Sequence, residues 1–225
     1  MNSLDIRALA GLLFLILAMA ALIFMPAVTL DYWQAWVFLT IYFLTSLAIT
    51  LYLMKYDRAL LERRMRARPT AEKKTDQKII MAFASVGFLG LLIVPALDRR
   101  FGWSHMAGHF ALAGGALALI GWLGIFFVFR ENTFTSATVE LAVDQKVIST
   151  GPYALVRHPM YASALMMLAG MPIALGSWWG LLIFFAMLPA LISRLLNEKG
   201  FLAKKLPGYI AYQAKTPWRL IPLIW

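Results

Sequence analysis

The chain alternates long apolar runs with short polar interruptions. The runs are roughly 20 residues long, the length at which a helix rising 1.5 Å per residue crosses about 30 Å of hydrocarbon. They predict membrane-spanning helices, because strands satisfy their backbone in a bilayer only as a closed barrel, whose segments alternate over about 10 residues. The first run covers residues 4–24. It exceeds the apolar core of a signal peptide and lacks a convincing small-residue cleavage pattern, so it reads as a retained helix. Pro26, Asp31, Tyr32 and Trp33 mark an interfacial turn, and a second span continues to about residue 54.

Residues 55–78 carry Lys55, Arg58, Arg63, Arg64, Arg66, Arg68, Lys73, Lys74 and Lys78, and read as a solvated loop beside lipid headgroups. A third span follows at 79–97, a turn at 98–104, and a fourth span at 106–129. In that span Gly108, Gly114, Gly115, Gly121 and Gly124 would let neighbouring helices approach closely. After a polar stretch at 130–159 come two apolar segments, 160–175 and 178–196, split by Gly176 and Ser177 as a tight helical hairpin. The polar tail, 197–225, is expected to add a short interfacial helix. The fold expected is therefore all-α: a polytopic transmembrane bundle of about six segments. Residues 1–129 form four N-terminal spans and residues 130–225 a catalytic region.

Charge orients this arrangement. With six spans, every Lys and Arg except Arg99 and Arg100 falls on one side, which the positive-inside rule assigns to the cytoplasm, together with the C-terminus. The expected location is thus multi-pass, in an inner or plasma membrane. Only 14% of residues are charged and 61% hydrophobic, against about a quarter charged in soluble domains. The net charge of +10 sits beside apolar spans rather than in a basic module, so it points to topology and anionic lipid, not nucleic acid. There is no cysteine, which removes disulfides, thiolate nucleophiles and thiolate metal sites. His105 and His109 have the i, i+4 spacing of a metal pair but no nearby acid, so no metal is expected.

Ionisable residues at the ends of apolar spans are the default candidates for function. Two clusters qualify. Gly151-Pro152-Tyr153-Ala154-Leu155-Val156-Arg157-His158-Pro159-Met160-Tyr161 sets a turn, a proline-started helix, an arginine, a histidine and two tyrosines at one helix mouth. Arg194 and Glu198, at i, i+4, share a face where the last span leaves the bilayer; by spacing alone they are equally a helix-end ion pair. His158 read alone is an ordinary interfacial histidine, and Arg157 a headgroup anchor. Tyr153 and Tyr161 suit an aromatic belt as well as a site, and Tyr209 and Tyr212 fit the belt better.

Read together, these residues resemble a known family. Gln145-Lys146-Val147-Ile148-Ser149-Thr150-Gly151-Pro152-Tyr153 continues into Arg157-His158-Pro159-Met160-Tyr161. Arg194, Glu198, Leu202, then Leu206-Pro207-Gly208-Tyr209, Tyr212 and Arg219-Leu220-Ile221-Pro222 follow in order. This pattern, over roughly residues 130–225, resembles the isoprenylcysteine carboxyl methyltransferase family of membrane enzymes. The resemblance implies methyl transfer from S-adenosyl-L-methionine. It implies cofactor contacts at Gln145, Lys146, Val147, Ile148, Tyr153, His158, Pro159, Met160, Tyr161 and Glu198, and a substrate carboxylate on Arg194; the catalytic residues expected are Arg194, Glu198 and, as a secondary site residue, Arg157. Many relatives carry two adjacent acids where this chain has Glu198 and Lys199; the first acid is kept.

The chemistry fits a cysteine-free chain. A sulfonium methyl is already activated and a carboxylate is ionised at pH 7, so neither a protein nucleophile nor a general base is required. The substrate expected is a lipophilic small molecule or lipid-modified molecule that enters from the bilayer among membrane lipids. Methylation of a phospholipid amine is a close alternative, and an NADPH-dependent sterol-type reductase a more distant one. A small transporter would need polar residues in mid-span, and few are found.

Overall fold

The structure, a computed structural model, describes residues 2–66, 75–135 and 145–225. All regular elements among them are helices: α1 (Ser3–Ala27), α2 (Trp33–Tyr56), α3 (Arg58–Arg66), α4 (Thr75–Phe101), α5 (Gly108–Glu131), α6 (Pro152–Leu155), α7 (Pro159–Ala174), α8 (Trp178–Lys205) and α9 (Tyr209–Lys215). Among the described residues five are long and apolar enough to cross a membrane: α1, α2, α4 from Gln77, α5 and α8. The protein is a multi-pass integral membrane protein. Large apolar side chains such as Phe14, Met25 and Val86 stay exposed on the outside of the bundle, as lipid-facing positions do.

Two ends of the bundle are defined by contacts. At one, Asn2 N–H donates to the Asp5 carboxylate, which also accepts two bonds from the Arg58 guanidinium at 2.9 and 3.0 Å. At the other, the Tyr32 hydroxyl donates to the Leu175 carbonyl at 2.6 Å, and Asp98, 2% exposed, accepts from Ser177 Oγ at 2.5 Å and from Ser104 Oγ at 2.6 Å. Trp33, Trp36, Trp103, Trp178 and Trp179 are exposed at this second end, an interfacial aromatic belt.

α7 packs chiefly on α5, and α8 on α4. The α5–α7 contact is backbone on backbone. A Cβ at Gly114 would lie 2.3 Å from the Ala174 nitrogen, and one at Gly170 would lie 2.6 Å from the Ala118 nitrogen. The small-residue stripe read in the fourth span thus serves as an interhelical seam.

Three boundaries differ from the sequence expectation. The basic stretch after α2 contains α3, because Leu60 and Leu61 turn inward onto Ile49, Leu53, Ile125 and Phe129 while Arg58 stays exposed and Arg64 lies over the Phe129 ring; residues 67–74 lie outside the described residues. α4 reaches Phe101 instead of ending near residue 97, which carries Asp98 into the helix. α8 continues to Lys205 rather than stopping near residue 196, because no proline follows until Pro207 and Gly208, whose φ of 81° turns the chain into α9.

Candidate active site

A cavity of about 500 Å³ opens at the basic end of the bundle, a volume within the usual range for small-molecule sites. Gln145, Lys146, Val147, Ile148, Tyr153, Arg157, His158, Pro159, Met160, Tyr161, Arg194 and Glu198, all singled out in the sequence, line it together. Its inner end is apolar and aromatic, formed by Tyr42 of α2, Met81 and Ala84 of α4, Trp122 and Ile125 of α5, and Leu191 of α8. The first half of the chain therefore walls the site as well as anchoring it.

The mouth is built from local turns. Gly151 adopts φ 57° where a Cβ would meet the Glu131 side chain, and Thr150 Oγ1 donates to Glu131. This fastens the turn before α6 to the end of α5. Asn132 Nδ2 donates to the Tyr153 hydroxyl at 2.8 Å, and the Tyr212 hydroxyl donates to the Tyr153 carbonyl at 2.7 Å. The tail straps the motif from the other side: Arg157 N–H donates to the Trp218 carbonyl at 2.9 Å, His158 N–H to the Arg219 carbonyl at 3.0 Å, and Arg157 Nη2 to the Pro217 carbonyl at 2.7 Å.

Inside, the Tyr161 hydroxyl donates to Glu198 Oε2 at 2.7 Å, and the same hydroxyl is within hydrogen-bonding reach of Arg194. Arg194 is 8% exposed and its Nη1 donates to Gln77 Oε1 at 3.2 Å. His158 is 5% exposed and its ring stands edge-on to Tyr161 with centroids 6.0 Å apart. Burial, with Arg157, Lys199 and Arg219 nearby, lowers its pKa to about 4, so the imidazole is neutral at pH 7. Burial pushes Tyr153 up to about 12 and raises Tyr209 and Tyr212, which keeps these phenols protonated.

Buried polar atoms normally find a partner, and His158 Nε2 and Arg157 Nε have none within the protein. Both residues line the cavity, so a polar ligand is the natural partner. The donor set fits S-adenosylmethionine: an acid in Glu198, hydrogen-bonding groups at His158 and along 145–148, and aromatic rings at Tyr153, Tyr209 and Phe201 that suit a cationic centre.

Sequence reasoning missed several lining residues. Tyr209 and Tyr212, read as belt aromatics, are 4% and 5% exposed, because the Pro207–Gly208 turn folds α9 back onto Val147 and Tyr153. Asn132, which lines the cavity, and Gln77, which bonds Arg194, gave no periodic signal. His105 and His109 do not form an i, i+4 pair on one helix, since α5 begins only at Gly108.

Residues 102–207 match the family model for phospholipid methyltransferases. The match holds most of the cavity's polar lining, leaving out Tyr42 and Arg64 before it and Tyr209 and Tyr212 just after it. This part of the chain is thus similar to a family of integral membrane methyltransferases. No curated protein matches the chain.

Proposed function

We propose that the protein is an integral membrane methyltransferase that transfers the methyl of S-adenosylmethionine to a carboxylate on a lipophilic acceptor, such as an isoprenylcysteine-like molecule. The observation that carries this reading is the convergence of the twelve candidate site residues, from Gln145 to Glu198, on one cavity, polar at its basic mouth and apolar within. The family-model match supports the methyltransferase class. The positive-inside rule supports a cytoplasmic mouth in a plasma or inner membrane.

The cofactor, when bound, supplies an activated methyl on a sulfonium. The residues that would hold it are Gln145 to Ile148, Tyr153, His158 to Tyr161 and Glu198. Arg194 orients the acceptor carboxylate through its planar fork, and the apolar inner wall keeps water from it, so in-line approach replaces acid–base chemistry. Neutral His158 contributes hydrogen bonding without adding positive charge.

A second reading, methylation of a phospholipid amine, is favoured by the description of the matching family. An ammonium acceptor must first lose a proton, and the Arg194 guanidinium would repel it.

Calorimetric titration of the detergent-purified protein with S-adenosylhomocysteine, and in parallel with NADPH, tests the cofactor. Saturable S-adenosylhomocysteine binding that Glu198→Ala abolishes is expected; binding of NADPH alone would move the protein to the reductases. Transfer of labelled methyl from S-adenosylmethionine to N-acetyl-S-farnesylcysteine, against phosphatidylethanolamine, then separates the acceptors. An ester product releases its label in alkali, and an N-methyl product retains it.

A further inference from the structure

α4 lies wholly before residue 102, outside both the matched stretch and the family motif, yet it forms one wall of the cavity through Met81 and Ala84. One turn before Met81, at i and i+4 on the same helix face, stands Gln77, which is 2% exposed. A buried amide in the first turns of a membrane helix needs a partner. Gln77 has one across the helix interface: its Oε1 accepts the 3.2 Å bond from Arg194 Nη1.

We infer that Gln77 is a positioning residue for the acceptor, fixing the rotation of the Arg194 fork while leaving its charge intact. The inference rests on the carboxylate-clamp reading of Arg194. A guanidinium carries five N–H donors on a flexible stem, and it recognises a carboxylate bidentately only when its plane is set. From one side the plane is set through Tyr161, whose hydroxyl also holds Glu198; from the other it is set by Gln77. The amide is the functional group this position demands. Leucine would leave the Arg194 N–H without that acceptor in a buried setting. Glutamate would keep an oxygen there but would form a charge-assisted pair that competes with the acceptor for the same fork. A contact that served only to tie α4 to α8 would be kept or strengthened by glutamate. A contact that serves to present a cation would be spoiled by it.

The test measures binding of S-farnesylthioacetate and of its neutral methyl ester to the detergent-purified full chain saturated with S-adenosylhomocysteine. Wild type is expected to prefer the carboxylate. Gln77→Leu and Gln77→Glu should each lose about tenfold of that preference while S-adenosylhomocysteine affinity stays unchanged. Gln77→Glu retains the oxygen acceptor and carries the test if Gln77→Leu fails to fold. A wild-type preference retained in Gln77→Glu overturns the positioning role and leaves the proposed function standing. A wild type that does not discriminate carboxylate from ester overturns the Arg194 clamp, and the role of Gln77 with it.

Discussion

Gly121 is where packing and catalysis meet most directly. A Cβ placed there would lie 2.5 Å from the Met167 backbone nitrogen and 2.6 Å from the Ser163 carbonyl oxygen, whereas ordinary contact begins at 3.4 Å. The atoms in the way are backbone and cannot swing aside as a side-chain tip could, so in Gly121→Ala the two helices must separate by about 1 Å. Overpacking of this kind typically costs about 1–3 kcal/mol. Ser163 is two residues from Tyr161 and five from His158 on the same rigid stretch, so the displacement reaches the mouth of the cavity. Misplacing a reacting group by 1 Å can cost on the order of 100-fold in rate. The expected result is a lower unfolding temperature in detergent and a loss of methyl transfer approaching that factor. Gly11→Ala, with no heavy atom within 4 Å, is the control and should change neither quantity. Wild-type unfolding and turnover in Gly121→Ala would refute the argument that α7 is held by a glycine seam.

Two other perturbations separate the ends of the bundle. Asp98 accepts from the Ser104 amide at 2.7 Å as well as from the Ser104 and Ser177 hydroxyls, so Asp98→Ala leaves one buried and two half-buried donors without that acceptor and should cost about 1–3 kcal/mol. Thermal unfolding reads that loss, while S-adenosylhomocysteine affinity, set at the far end, should hold; an unaltered unfolding temperature would contradict the anchor. His158 titrates near pH 4 in the folded protein against about 6.5 unfolded, so folding disfavours its protonation. Its contribution is complete above about pH 6.5 and is lost as the pH falls toward 4, a window that unfolding measured against pH should show in wild type and not in His158→Gln.

The spans were legible in the sequence because their length and hydropathy are imposed by the bilayer, and the motif residues because most of them lie in one continuous stretch, 145–161. Helix ends were less legible where charge continues an amphipathic helix. α8 keeps Arg194 and Glu198 on one face well past the end of its apolar run, and α3 hides in a basic stretch that only Leu60 and Leu61 betray. The inner wall was invisible for a different reason. Tyr42 and Trp122 sit in continuous apolar spans, and only the packing of α2 on α5, with their rings edge-on at 5.0 Å, shows that they face inward. Gln77 shows the limit of pattern reading, since one amide at a helix start looks like any solvated polar residue.

The hairpin explains why motifs so far apart in sequence act together. The chain turns at Gly176, whose φ of 74° favours glycine, and Ser177 caps α8 by accepting from the Gly180 amide at 3.0 Å while its hydroxyl is held by Asp98. From Ala174, the last residue of α7, Tyr161 lies thirteen residues back, and from Trp178, the first of α8, Arg194 lies sixteen residues forward. At 1.5 Å per residue these are about 20 and 24 Å of helix, close enough for the Tyr161 hydroxyl to reach Arg194. Glu198 is one turn further on, which is where the Tyr161 hydroxyl meets it. The register of the site is therefore set from the opposite end of the molecule, where a buried acid that never touches the cavity holds the turn, and is carried to it by α7 and by the stretch of α8 up to Arg194. In the proposed reaction a cofactor from the aqueous side and an acceptor from the bilayer would meet at that depth, which is set by helices rather than by a loop.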